Sequence, residues 1–282
     1  MTDQAFHYSS SAVDVHGHDL PGLKATFVVD RVADDTTVLD VGCGGGKMLR
    51  TIAAHRSGVT LLGCDVTPPA ELDGAFAFSA LDPPDGPLPY ADCSIDAVLV
   101  FDVLEHVREP AAMLAEARRA LRADGVLLAF VPVEGERLSW YRLFRRVLGD
   151  DLYARTKGHI QAFTHAEVEV LIGEHFVIED RVFSYHPLGQ LMDAGLCAAL
   201  SLGPVQRSFW AYSPFHGDET RPRGLVGRGV AAVLRLANAL AWAESSALRG
   251  VRTGSAGVLL AARPRPDQGC RGVSSLGSAD RE

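Results

Sequence analysis

Cysteine and positive charge are both scarce in this sequence. The five cysteines, at 43, 64, 93, 197 and 270, form no Cys-x-x-Cys pair and no even-numbered framework. That argues against a disulfide scaffold and predicts a reducing, cytoplasmic setting, with Cys43 and Cys64 as small buried residues. Lys and Arg number 27 against 35 Asp and Glu, so a formal net charge of −8 gives no global field for a nucleic-acid backbone, and none is expected as substrate. Uninterrupted apolar runs are missing too: Asp193, Arg235 and Glu244 break the two strongest candidates short of the roughly 20 residues of a membrane span. The opening MTDQAFHYSS has neither a positive leader nor an apolar core, so no secretory signal is expected.

What is present starts with hydrophobic content: 47% of 282 residues is enough for one large core, and the expected plan is one domain with an insertion. The most informative segment is Val38-Leu39-Asp40-Val41-Gly42-Cys43-Gly44-Gly45-Gly46-Lys47. An apolar run ends in an acid and a glycine turn, then opens a helix whose unpaired N–H groups suit a polar ligand. A dinucleotide fingerprint counted from Gly42 needs a small residue where Lys47 stands, and a Walker loop needs Ser or Thr where Met48 stands. Asp65 closes the next apolar run, Val59 to Cys64, about 20 residues past the glycines, where a carboxylate can accept from ribose hydroxyls.

Periodicity predicts an opening helix over 20–32, strands at 37–41, 59–64, 76–80, 95–101 and 125–132, and helices at 45–55 and 110–121. A helical excursion over 137–148, a helix over 164–175 opened by a Thr164 to Glu167 capping box, and a strand over 177–183 follow. Apolar strands alternating with helices predict an α/β fold with a parallel sheet covered on both faces. Residues 184 to 256 exceed what this plan needs. In 224–248, Val226, Val230, Val233, Leu234, Ala237 and Leu240 keep helical spacing. The readings are an extra helical layer, a lid over an apolar acceptor, or contact with a membrane surface through Arg221, Arg223, Arg228 and Arg235.

The glycine segment, Gly63-Cys64-Asp65, the run Ser94 to Val107 that contains Phe101-Asp102-Val103-Leu104-Glu105-His106, the run Leu121 to Leu128 and His159-Ile160-Gln161-Ala162-Phe163-Thr164 occur in that order. Together they resemble the class I S-adenosylmethionine-dependent methyltransferases over about residues 36 to 183. The resemblance implies a Rossmann-like, seven-stranded, mostly parallel sheet with helices on both faces and a helical insertion between the last two strands. It divides the chain into a segment 1–35, a cofactor-binding core 36–183, an insertion 184–256, a last strand 257–264, antiparallel to its neighbour, and a frayed tail 265–282.

The same resemblance implies S-adenosylmethionine as cofactor. Asp40, Gly42, Cys43, Gly44 and Gly46 would line its methionine end, Asp65 and Val66 the ribose, Asp82 or its rival Asp85 the adenine, and Phe101, Asp102 and Val103 the transferred methyl. Read from local sequence alone, Asp102 is a helix cap and Glu105 a solvated carboxylate at a helix start. Methyl transfer from a sulfonium needs an acceptor held behind the methyl carbon and, for a hydroxyl, a base. His106 and His159 are the candidate bases, each following a strand end. His16, His18, His165 and His186 are read as surface or packing residues. No metal constellation is legible, although Glu105 and His106 could supply ligands. The expected acceptor is a small organic hydroxyl, with nitrogen or carbon as alternatives. A nicotinamide-dependent oxidoreductase and a silent cofactor-binding protein are the rivals.

Overall fold

The computed structural model describes residues 11–70, 72–83, 86–148, 158–200 and 224–266. Strands β1 (Thr37–Val41), β2 (Thr60–Asp65), β3 (Ala77–Ala80), β4 (Ile95–Phe101), β5 (Leu121–Pro132), β6 (Phe176–Ser184) and β7 (Gly257–Pro264) form one sheet in the order β3-β2-β1-β4-β5-β7-β6. Pairing is parallel from β3 to β5, while β7 runs antiparallel to both β5 and β6. This is the Rossmann-like sheet the sequence implied, reached because each central strand is apolar on both faces. Successive side chains alternate: Leu39, Val41, Val98 and Val100 enter one core, Val38, Ala97 and Leu99 the other.

Helices α1 (Leu20–Val29) and α2 (Lys47–His55) supply Phe27, Val28, Leu49 and Ile52 to one face. Helices α3 (Pro110–Ala120) and α5 (His165–Gly173) supply Leu114, Ala117, Val168 and Ile172 to the other. The capping box of α5 is present as expected, with Thr164 Oγ1 accepting from Glu167 N–H and the Glu167 carboxylate from Thr164 N–H. Several boundaries differ from expectation, two of them with a visible cause. Helix α1 stops at Val29, its cap Asp30 donating to Thr26 O. Strand β5 starts at Leu121, directly after α3, because Leu121 pairs with Ile95 ahead of an irregularity in β4 and Arg122 bonds Asp96 at 2.6 Å.

Helix α4 (Trp140–Leu148) follows β5, and helices α6 (Pro187–Leu200) and α7 (Gly224–Ala247) stand between β6 and β7. α6 packs on α7 and α4, and α7 also meets α1 and β6. Gln190 joins them: its Oε1 accepts from Trp140 N–H, and its Nε2 donates to Tyr185 O and Gly254 O. Glu244, which breaks an apolar run in sequence, accepts from Leu188 and Gly189 N–H and so caps α6. Of the residues with apolar spacing on α7, Val226, Val230 and Leu234 lie outside the described side chains, and Val233 and Leu240 are 67% and 50% exposed, whereas Ala241 and Ser245 are buried. Arg221 and Arg223 lie outside the described residues. No helix among the described residues is long and apolar enough to cross a membrane.

Cys43 and Cys64 are free and buried, as expected. Cys93 is disulfide-bonded, with its partner outside the described side chains, which removes one support for the expected reducing setting. His165 and His186 are buried packing residues that bond Ser255 Oγ and Val251 O at 2.8 and 2.9 Å. His18 stacks on Trp242 of α7, ring centres 4.3 Å apart.

Candidate active site

The parallel strands bring the carboxyl ends of β1, β2, β4 and β5 to one edge of the sheet. There the first turn is held tightly. Gly42 and Cys43 N–H donate to Cys64 O at 2.8 and 3.1 Å, and Gly46 N–H donates to Cys43 O at 2.8 Å. Gly42 has φ +73°, and a Cβ there would lie 2.5 Å from Val103 Cγ2. Gly46 has φ +77°, and a Cβ would lie 2.1 Å from the Phe76 ring. Both positions therefore require glycine, for conformation and for space.

Asp65, at the end of β2, faces this turn. Its Oδ2 accepts from Gly44 N–H at 2.8 Å and its Oδ1 from Thr67 N–H at 3.1 Å. Each oxygen keeps a further lone pair, so the carboxylate is aimed and still able to accept from two hydroxyls. Asp40 lies beneath, 5% exposed, and its carboxyl is pushed up to about 8, first by burial and then by the charge of Asp65. Burial, with the two acids as a smaller cause, raises both cysteine thiols; Cys64 reaches about 12. These thiols are inert neutral packing groups. Val66 is 54% exposed beside Asp65. Asp82 is exposed just beyond β3, on the same edge, because Ala80 pairs with Asp65 and Leu81 N–H donates to Asp65 O at 2.9 Å. Asp85 lies outside the described residues.

After β4 the chain departs from the local reading. Asp102 is no helix cap: α3 begins at Pro110 behind Glu109, and Asp102 instead has φ +55° and pairs with Lys24 of α1 at 2.6 Å. The Lys24 ammonium also sits 3.5 Å from the centre of the Phe130 ring. This contact between α1 and the ends of β4 and β5 was not legible in sequence, since it depends on how α1 lies across the sheet.

Glu105 is likewise not solvated. Its side chain is 1% exposed, and neither oxygen has a hydrogen-bond partner among the described residues. The segment after Gly158 folds over it, with Ile160 and Gln161 N–H both donating to Glu105 O at 2.9 and 3.1 Å. Burial first, and then the charge of Asp102, holds the Glu105 carboxyl well above the usual carboxylate range.

That same folding brings His106 and His159 together, ring centres 4.9 Å apart and nearly perpendicular. Each Nε2 lies 3.9 Å from Glu105 Oε1. His159 Nδ1 bonds Glu134 Oε2 at 3.1 Å and His106 Nδ1 bonds Gly158 O at 3.1 Å. Burial, and then His159, lowers the His106 pKa, so its ring is neutral at pH 7. Glu134 is a second residue that sequence reading passed over; its one signal is an acid just beyond the end of a buried strand.

Known proteins share parts of this chain's sequence and fold. Residues 39–127 match a family model described as a methyltransferase domain. The chain is 31% identical over 96 residues to a Mycobacterium tuberculosis protein named "Probable S-adenosylmethionine-dependent methyltransferase", covering 34% of this chain and 35% of that one. It is 28% identical over 144 residues to a ubiquinone biosynthesis O-methyltransferase of Xylella fastidiosa, covering 44% and 56%. The chain thus spans about a third to a little over half of the length of these curated relatives. Among solved structures, the [4+2]-cyclase SpnF shares the fold with a TM-score of 0.55, 19% identity and coverage of 92% and 87%. The phosphoethanolamine N-methyltransferase 2 of Haemonchus contortus, solved with S-adenosyl-L-methionine, shares it at 0.52, with 15% identity and coverage of 86% and 52%.

Proposed function

We propose that this chain is a class I S-adenosylmethionine-dependent methyltransferase, which moves a methyl group from S-adenosylmethionine to a small organic acceptor, at a hydroxyl oxygen. The observation that carries the reading is the shared edge: the glycine turn with Asp65 and the Glu105, His106 and His159 cluster both stand at carboxyl ends of parallel strands of one sheet. A ligand hugging the turn at β1 and reaching across β4 meets the histidine cluster at its far end.

In this reading Asp65 accepts from the ribose hydroxyls, and Val66 and Asp82 border the adenosine. Asp40, Gly42, Cys43, Gly44 and Gly46 line the methionine end, which the close approach of Val103 to Gly42 helps to shape. Phe101, Asp102 and Val103 face the methyl group. The acceptor oxygen attacks the methyl carbon from behind, the C–S bond breaks with its electron pair going to sulfur, and the acceptor's proton leaves toward the histidine cluster. Most of the rate comes from holding oxygen and carbon roughly 3–3.5 Å apart in line. The hydroxyl assignment rests on that cluster, since an amine that is already neutral needs no group to remove a proton.

Asp40 supplies a test. With a carboxyl pushed up to about 8 it carries a proton at pH 7 in the unliganded chain. A pKa raised in the folded state means the fold binds that proton more tightly than the unfolded chain, so this contribution to stability is present below the unfolded value and is lost as pH rises through about 8. A positively charged cofactor beside Asp40 favours the ionised form. Titration calorimetry at pH 7 in buffers of different ionisation enthalpy should therefore show up to one proton released per S-adenosylmethionine bound, and Asp40→Asn should abolish the release. Identical heats in all buffers for the parent would count against Asp40 as a cofactor neighbour.

A further inference from the structure

Of the groups gathered at the sheet edge, Glu105 is the least accounted for: a carboxylate almost wholly enclosed, with neither oxygen hydrogen-bonded among the described residues. Burial of an unpaired carboxylate is costly unless something compensates it. Two imidazole nitrogens, His106 Nε2 and His159 Nε2, lie 3.9 Å from its Oε1. The other nitrogens of those rings are already assigned. A carbonyl can only accept, so His106 Nδ1 donates to Gly158 O, and His159 Nδ1 is assigned as the donor to the acceptor oxygen Glu134 Oε2. In these tautomers each Nε2 presents a lone pair toward Glu105. An Nδ1–H held by a carboxylate or carbonyl behind the ring is how metal-bound imidazoles are oriented.

We propose that Glu105 Oε1, His106 Nε2 and His159 Nε2 bind a divalent transition-metal cation, with Glu134 and the Gly158 carbonyl positioning the two rings. One ligand atom from each of the three residues falls within 4.8 Å of the others. Zinc bonds of about 2.0–2.2 Å separate neighbouring ligand atoms by roughly 3.4 Å in a tetrahedral set, so the 3.9 Å gaps close by about half an ångström on loading. Two imidazoles and one carboxylate suit zinc, cobalt or ferrous iron, and not magnesium or calcium, which prefer all-oxygen shells.

Three protein ligands leave at least one position open. On the methyl-transfer reading given above, that position takes the acceptor's hydroxyl oxygen, fixes it in line with the methyl carbon and draws its proton off more readily. His106 and His159 then act as ligands and not as free bases. The binding of the metal itself does not depend on that reading.

The test titrates chelator-treated full-length chain with Co2+, whose visible absorption reports nitrogen and oxygen ligands. The expected result is one ion per chain, displaced by Zn2+, with Glu105→Gln and His106→Gln each weakening uptake at least about 10-fold. If Glu105→Gln does not fold, His106→Gln carries the test, since the His106 side chain is 40% exposed. Absence of Co2+ uptake by the parent, or full affinity in a variant that melts like the parent, overturns the proposal. S-adenosylhomocysteine is titrated into the same samples and should bind parent and variants alike. A parent that takes up Co2+ and ignores the nucleoside would sink the methyl-transfer reading and leave the metal site standing.

Discussion

Asp65→Ala is expected to weaken S-adenosylmethionine binding about 100- to 10,000-fold. The carboxylate is fixed by Gly44 and Thr67 N–H and offers one further lone pair per oxygen to the ribose hydroxyls. Hydrogen bonds to a charged group contribute about 1.5–3 kcal/mol each, so two are worth about 3–6 kcal/mol, and each 1.4 kcal/mol is tenfold in affinity. Gly44 N–H loses its partner as well, which loosens the glycine turn. The fold itself should survive, because Asp65 is only partly buried at a strand tip and adds nothing to the apolar core. Thermal melts run beside the calorimetry separate lost affinity from lost structure, and an alanine variant that binds as tightly as the parent would remove Asp65 from the cofactor site.

His159→Ala should leave cofactor affinity within about twofold of the parent and lower turnover roughly 100- to 10,000-fold, the range for a group that handles the reacting proton. Its side chain is 11% exposed, oriented by Glu134 and directed at Glu105. The expected signature is therefore a fall in kcat with an unchanged dissociation constant for the methyl donor. Single-turnover assays on the acceptor, once mass spectrometry of extracts has found a product that gains one methyl, would measure it. Full turnover in this variant would exclude His159 both as base and as metal ligand for the reaction.

The parts of the chain that could be read in advance are those set by short-range rules. Val38–Val41 and Val98–Val100 are buried on both faces, so their apolar runs show as parallel strands without a partner in view. Gly42 and Gly46 stand where φ is positive and space is lacking, conditions that single residues satisfy and sequence displays. The Thr164 and Glu167 capping box is likewise a local bargain between two side chains and two backbone groups.

What was misread depends on distant partners. Glu105 looks like a carboxylate opening a helix, because Leu104-Glu105-His106 carries no trace of the 158–161 segment that closes over it. Asp102 looks like a cap until α1 supplies Lys24. On α7, Val233 and Leu240 keep the apolar spacing and stand exposed, while Ser245, whose Oγ accepts from Tyr185 N–H, and Trp242 against His18 make contacts with distant segments. Leu121 opens β5 early because it pairs with Ile95, which no turn residue announces. The glycine turn and Asp65 were thus legible from one turn and the strand tips beside it, whereas the histidine cluster is assembled from three separate stretches, around residues 105, 134 and 159.

The most direct measurement is calorimetry of the purified chain with S-adenosylmethionine and, separately, NAD. The account predicts saturable one-to-one uptake of the sulfonium nucleoside and no heat with NAD, as Lys47 in place of a third glycine requires. Uptake of NAD, or no uptake of S-adenosylmethionine at millimolar concentration, would contradict it.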